Sequence, residues 1–449
     1  MEIIDRLSKL SALMLLGCSC LPALAVSTPV NGYVLERVVI LSRHGVRSPT
    51  KQTDLMNNVT PDKWPQWPVQ AGYLTPQGEH LMTLMGGFYR DYFRSHNLLP
   101  AQGCPTDGSL YVWADIDQRT RLTGQAFLAG VAPECDLKIH HQADLKTTDA
   151  LFHPVEAGIC KLDKQQTQQA VEKQLGAPLA TLSQRYALPL AQMGEILNFA
   201  ASPYCKEMQT KGKSCDFASF TPNQIHLSPN GQKVSLSGPL ALSSTLSEIF
   251  LLQYAQGMPE VAWQRLSGED NWRSLMSLHN EQFNLMAKTP YIASHKGTPL
   301  LKEISAALAG QQGTLKRPAN NRILFIAGHD TNIANIAGML GLNWELPHQP
   351  DNTPPGGGLV FELWNNPQDR QQYVSVKMFY QTMEQLRNGE KLDMHHPAGM
   401  VQVAIAGCEN SNSSGLCSLK ELQKKVSQAI QPTCVAPRKK LHNTAIGFA

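Results

Sequence analysis

The sequence predicts an α/β fold, a central sheet flanked by helices, with a second, mostly α-helical domain inserted into it. Two observations carry this prediction. Three apolar, β-branched runs, at residues 34–41, 109–114 and 321–327, each lead into a polar loop and then a helix-forming stretch. Repeats of strand, loop and helix build a sheet with helices on its faces. Between residues 161 and 287 the character changes: helical stretches dominate and strand-like runs are few. At 449 residues the chain is long enough for both parts.

The first unit is the most informative. Residues 34–41 read as a buried strand, followed by Arg43-His44-Gly45-Val46-Arg47-Ser48-Pro49. Gly45 is expected to let the backbone turn sharply beside the histidine. The loop falls at a strand's carboxyl end, where open α/β sheets bind ligands. Guanidinium groups match phosphate geometry, and a histidine among them can attack phosphorus. The five fixed positions of Arg-His-Gly-x-Arg-x-Pro should arise by chance in about one of 10^4 chains of this length. Residues 50–73, rich in Pro, Trp, Asn and Gln, show no period and read as a loop over the site. Thr75-Pro76 then opens a helix, with Thr75 as N-cap and an apolar stripe of Leu81, Leu84, Met85, Phe88 and Tyr92.

The second unit repeats the pattern. Its strand ends in Asp115-Ile116-Asp117-Gln118-Arg119-Thr120-Arg121, and a helix follows to Ala129. One of Arg119 and Arg121 can point inward to an anion. Within the helical insertion, residues 165–175, 188–199, 243–256 and 271–286 are the clearest helices; Glu248, on the third, reads by itself as a solvated charge. The third unit ends in Gly328-His329-Asp330, where Asp330 or Thr331 could simply cap the helix that runs to Leu340. Pro354-Pro355-Gly356-Gly357-Gly358 precedes a further strand, and Ser418-Leu419-Lys420-Glu421 is a capping box opening a last helix.

Composition narrows the function. The net charge is +3, the tail after Cys434 carries three cations, and the body is close to neutral. A global basic field of the kind that binds nucleic acid is absent, so any anion site must be a local cluster. Arg6 and Lys9 precede an apolar run to Leu24 and the small residues Ala23-Leu24-Ala25, so residues 1–25 read as a cleaved export signal. Leu15-Leu16-Gly17-Cys18 offers a lipoprotein-like alternative, but lipidation of Cys18 would leave Cys20 odd. No later apolar run is long enough to span a bilayer. Residues 435–449 read as a basic, disordered tail.

Cleavage after Ala25 leaves eight cysteines, which allow about 105 pairings. Short loops favour Cys205–Cys215 and Cys408–Cys417, and Cys104–Cys135 is the next economical pair, leaving Cys160–Cys434. A zinc site lacks any Cys-x2-Cys spacing, and the paired histidines 140–141 and 395–396 lack metal-site spacing.

Together the three strand ends bring Arg43, His44, Arg47, Arg119, His329 and Asp330 to one sheet edge. In this reading His44 attacks phosphorus, Arg43, Arg47, Arg119 and His329 hold the phosphoryl oxygens, and Asp330 protonates the leaving alkoxide. The arginines should depress the His44 pKa and bound phosphate should raise that of Asp330. The rate should fall above roughly pH 6.

At this point the chain resembles the histidine acid phosphatases, which carry Arg-His-Gly-x-Arg-x-Pro near the start and a late His-Asp pair. The resemblance spans nearly the whole mature chain and is closest to the bacterial periplasmic phytases, which hydrolyse myo-inositol hexakisphosphate. Ala114-Asp115, Arg119-Thr120-Arg121, Gly328-His329-Asp330-Thr331-Asn332 and the 350–357 segment Pro-Asp-Asn-Thr-Pro-Pro-Gly-Gly carry it. It implies a phosphoglycerate-mutase-like α/β domain (residues 26–160 and 288–434) around an inserted helical domain (161–287). It also implies the cysteine pairing above, no metal or other cofactor, and a monomeric periplasmic enzyme acting on a small phosphate ester. By motif, His44 matches the nucleophile, Asp330 the proton donor, and Arg43, Arg47, Arg119 and His329 the phosphate ligands. Thr50 and Lys51 would contact a neighbouring phosphate, and Glu248 matches a pocket residue. Lys296 stands where the phytases have an arginine, keeping the charge but losing the bidentate fork. Gly358 replaces an acidic residue, and the basic tail is a further departure.

Three rivals remain open to the sequence. A periplasmic glucose-1-phosphatase shares the catalytic set, but His-Asp-Thr-Asn, Pro-Pro-Gly-Gly and Lys51 favour phytase. A phosphoglycerate mutase is at odds with export and disulfides. A secreted anion-binding module needs no proton donor, and the Asp330 carboxylate would repel its ligand.

Overall fold

The computed structural model describes residues 32–408 and 416–435. The export signal and nearly all of the basic tail expected from the sequence lie outside the described residues. Strand β1 (Val34–Arg43) is buried along its second half and so needs a packed layer on each face. In the segment that shows no sequence period there is a short helix, α1 (Asp54–Asn58), capped by Thr53. Its Met56, with the following Val59, is anchored in the helical core, so this stretch is more than a loop. Helix α2 (Pro76–Ser95) starts as its Thr-Pro pair dictates, with the Gly78 N–H donating to Thr75 Oγ1 at 3.0 Å. Strand β2 (Leu110–Ala114), helix α3 (Gln118–Val131) and strand β3 (Ile139–His141) complete the first half.

Between β3 and the later sheet strands, the chain forms α4 (Lys164–Leu175), α5 (Leu182–Arg185), α6 (Ala187–Ile196) and α7 (Pro203–Thr210). It continues through a hairpin of β4 (Gln224–Leu227) and β5 (Val234–Ser237) to α8 (Pro239–Ala255) and α9 (Glu269–Met286). The chain returns through α10 (Pro290–Leu308), β6 (Ile323–Gly328), α11 (Asp330–Leu340), β7 (Gly358–Asn365) and β8 (Gln372–Tyr380). It closes with α12 (Met383–Asn388), β9 (Gly399–Val403), β10 (Cys417–Ser418) and α13 (Leu419–Ala429). At the start of α13 only half of the expected capping box forms: Ser418 accepts from the Glu421 N–H at 3.2 Å.

The sheet runs β10-β8-β7-β1-β6-β2-β3, with β9 also on β8. Strands β1, β6, β2 and β3 are mutually parallel, whereas β7 runs antiparallel to β1, and β8, β9 and β10 continue antiparallel. The sheet is therefore mixed, and the three strand ends that the sequence marks lie side by side in its parallel half. Helices α2 and α3 cover one face, and α10, α11 and α13 the other. A separate core of 29 buried residues, including Leu246, Phe250, Leu275 and Met276, fills the helical part.

Four disulfides join Cys104–Cys135, Cys160–Cys434, Cys205–Cys215 and Cys408–Cys417. Among the described residues, no helix is long and apolar enough to cross a membrane.

Candidate active site

Backbone contacts hold the Arg/His loop in place. A Cβ on Gly78 would stand 2.1 Å from the Val46 carbonyl oxygen, and one on Gly45 would stand 2.9 Å from the Gly78 carbonyl oxygen. Gly45 does not adopt a positive φ, so it is required for close approach to α2 rather than for the sharp turn expected from sequence. The His44 N–H donates to the Gly328 carbonyl at 2.9 Å, tying the ends of β1 and β6 together.

Arg43, the last residue of β1, is fully buried. Its Nη1 donates to Asp351 Oδ2 at 3.0 Å and to the Thr353 carbonyl at 2.6 Å. Its Nη2 contacts Glu248 Oε1 and lies 3.2 Å from Asp330 Oδ2. Arg47 Nη2 reaches the same Glu248 oxygen at 3.1 Å. Arg119 Nη2 pairs with Asp117 at 2.7 Å, and its Nη1 approaches the Gly72 carbonyl at 3.4 Å. The Nε donors of Arg43, Arg47 and Arg119 are all buried without a hydrogen-bond partner. Orphaned donors are costly in a dry interior, and three in one cluster could be satisfied by an anion.

His44 Nδ1 lies 2.9 Å from the Gly45 carbonyl oxygen. A carbonyl only accepts, so Nδ1 carries the proton and Nε2 presents its lone pair. Burial, and then the charges of Arg119, Arg47, Arg43 and His329, hold the His44 pKa well below the ordinary imidazole value. Burial, which the sequence reading left out, is thus the largest single cause, ahead of each arginine. The ring centroids of His44 and His329 are 5.7 Å apart.

Asp330 opens α11, with His329 as its N-cap residue and the Asn332 side chain accepting the His329 N–H at 3.0 Å. Burial by itself would raise the Asp330 pKa, but Arg43, Arg47, His279 and His329 outweigh it and hold the carboxyl below its usual range. Without an anion present Asp330 is therefore ionised. The elevation expected from sequence would require an anion bound beside it.

His329 Nε2 donates to Asp115 Oδ2 at 2.6 Å, and His153 Nε2 donates to the same oxygen at 2.8 Å. Among the described residues, the group Asp115, His153 and His329 has ligand-type atoms within 4.8 Å of one another. The two imidazole-to-carboxylate hydrogen bonds account for that closeness.

The remaining residues divide into three groups. Glu248 faces the arginines from α8, only 14 % exposed, and is not the solvated charge that its sequence position suggests. Thr50 and Arg119 both lie beside Gly72, and Lys51 lines a cavity of about 490 Å³ with Trp64, Trp67 and Ile249. Lys296 is paired with Glu156 at 2.5 Å. Sequence reasoning assigned no role to Asp351, His279 or His153, and Asp115 appeared only as part of a motif. Asp351 lies in the Pro-Asp-Asn-Thr segment, a detectable signal; His279 is a single residue of a long helix and gave none.

Comparison with known proteins defines the family. Residues 34–381 match the histidine phosphatase superfamily, branch 2. The chain belongs to that family. It is 44 % identical to Phytase AppA of Escherichia coli over 403 residues, 89 % of this chain and 93 % of the relative. The apo phytase of Hafnia alvei superposes with a TM-score of 0.88 at 54 % identity, covering 91 % of this chain and all of that one. A glucose-1-phosphatase of Salmonella typhimurium is 31 % identical over 411 residues, 91 % of this chain and 95 % of the relative. As a histidine acid phosphatase, the chain is a phosphoric monoester hydrolase.

Proposed function

We propose that this histidine acid phosphatase is a phytase whose phosphate seat is the cluster of Arg43, Arg47, Arg119 and His329. The phosphohistidine route follows. His44 Nε2 attacks phosphorus, a P–N bond forms as the P–O bond to the inositol breaks, and Asp330 gives its proton to the departing alkoxide. Water then attacks the phosphohistidine, loses a proton to Asp330 and releases inorganic phosphate. The His44 cation formed in the first step keeps its Nδ1–H on the Gly45 carbonyl. The arginines neutralise the equatorial oxygens.

The observation that carries this reading is the His44 tautomer: a buried, neutral imidazole with its free lone pair among three arginines. The phosphate charge offsets Arg43 and Arg47, which restores the Asp330 proton that those arginines drive off in its absence. Lys51 extends the cationic surface toward a second phosphate and Thr50 adds a neighbouring hydroxyl donor, which suits a polyphosphorylated substrate. Glu248 gives up its place on Arg43 and Arg47 when the anion arrives. Lys296, held by Glu156, keeps the positive charge expected to meet a substrate phosphate. The enzyme works as a monomer in the periplasm, a location suited to four disulfides.

The test compares phosphate release from phytate and from glucose 1-phosphate at about pH 4–5, with His44→Ala as the blank. Preference for phytate, lost in the blank, is the expected result. Preference for glucose 1-phosphate would retain the mechanism and change the substrate. Equal rates in wild type and His44→Ala would overturn the mechanism.

A further inference from the structure

Asp115 carries more than one partner. Its Oδ2 receives both His329 Nε2, at 2.6 Å, and His153 Nε2, at 2.8 Å, while Oδ1 receives the Ile116 N–H at 2.8 Å. The carboxylate is almost completely buried, whereas the His153 side chain is 30 % exposed. His153 therefore reaches solvent on one side and the wall of the phosphate seat on the other. Its ring centroid lies 5.1 Å from that of His329, which in turn is 5.7 Å from His44.

We infer that His153 is a positioning residue that sets the net charge behind the phosphate seat. Protonated, it neutralises Asp115; deprotonated, it leaves the Asp115 charge directed, through His329, at the bound anion. This inference rests on the seat proposed above. It goes beyond that reading because it assigns the alkaline loss of phosphate affinity to a group that touches neither substrate nor His44.

The groups facing His153 are Asp115 beyond β2, Glu156 on its own turn, Lys296 on α10, His329 at the start of α11 and, more distantly, Asp149. Burial lowers the His153 pKa, but the hydrogen bond to Asp115 and the charges of Asp115 and Glu156 outweigh burial and Lys296 and leave it raised. Asp115 moves the other way. Burial would raise it, but its hydrogen bonds and charge interactions with His153 and His329 hold it far below the carboxylate range. Asp115 therefore stays ionised throughout the working range, and His153 is the member of the pair that changes charge. Glu156 is held ionised by Lys296 against the effect of burial, so the ion pair beyond His153 contributes a constant background.

Inorganic sulfate is the probe, because its own charge does not change over this range; the proton that Asp330 takes up on anion binding is common to wild type and variants, so the difference between their curves isolates His153. Its affinity for the full chain is measured by calorimetry from about pH 5 to 8 for wild type, His153→Gln and His153→Arg. Gln can still donate to Asp115 but carries no charge; Arg carries one at every pH. Wild-type affinity should fall roughly tenfold as His153 deprotonates. His153→Gln should already be weak at the acid end, and His153→Arg should retain tight binding at the alkaline end, a gain that loss of structure cannot produce. In turnover, the alkaline change in the phytate KM should follow the same variants, while the kcat limb assigned to Asp330 stays in place. Superimposable sulfate curves for the three proteins, or an arginine variant that loses affinity along the wild-type limb, would overturn the inference. Wild type that binds no sulfate at any pH would overturn the phosphate seat as well.

Discussion

Replacing Asp330 by Asn removes the proposed proton donor and a negative charge beside the phosphate seat in one step. The two effects have opposite signs. Asp330 Oδ2 lies 3.2 Å from Arg43 Nη2. A phosphate oxygen held on the same guanidinium centres its charge about 6 Å from the carboxylate; at an effective dielectric of about 20, unit charges at that distance repel by ~2.8 kcal/mol. Screening reduces this, so, measured above the pH at which Asp330 keeps its proton in the complex, Asp330→Asn should bind inorganic phosphate about ten- to a hundredfold more tightly. Turnover should move the other way. A general acid contributes about 10^2 to 10^4 in rate when the leaving group is a poor one. An inositol alkoxide needs that proton, whereas p-nitrophenolate leaves nearly unaided. The assay is kcat for phytate and for p-nitrophenyl phosphate, with phosphate affinity by calorimetry, in wild type and variant. The expected result is a large kcat loss on phytate, a much smaller one on p-nitrophenyl phosphate, and tighter phosphate binding. Equal losses on both substrates would refute Asp330 as the acid, and unchanged phosphate affinity would refute its position beside the seat.

Glu248→Gln removes the carboxylate that spans Arg43 and Arg47, so the variant should bind inorganic phosphate several-fold more tightly in calorimetry, with a lower phytate KM. Stability should fall in acid: the Asp115 pKa is depressed in the folded state, so its contribution is present above the unfolded value of about 4 and is lost as pH falls through the folded one. A melting-temperature series against pH should show this loss, and Asp115→Asn should flatten the slope. Removing the Cys160–Cys434 bridge, which closes a 274-residue separation, by paired Ser substitutions should cost up to about 5 kcal/mol in urea unfolding, with activity at low temperature retained.

The sequence by itself identified the chemistry because the reacting groups lie next to strong local signals. Arg43, His44 and Arg47 follow an apolar strand, Arg119 follows another, and His329-Asp330 follows a third. Period and punctuation alone mark where such strands end. The Thr75-Pro76 start of α2 was legible for the same reason, since a cap is a local hydrogen bond. Other features have no local signature. Helix α8 is buried on nearly all sides, so its apolar pattern could not show which way Glu248 points. Whether β7 pairs antiparallel with β1 depends on chain reversals that the run at residues 358–365 does not encode. Arg43 meets Asp351 and Glu248 across 308 and 205 residues of sequence, and Asp115 meets His329 across 214. Those encounters set the protonation states of the site, because charge interactions depend on distance in space. Residue type and strand position therefore named the reacting groups, while tertiary packing decided which carboxylates stand against which cations, and so which protons the site can hold.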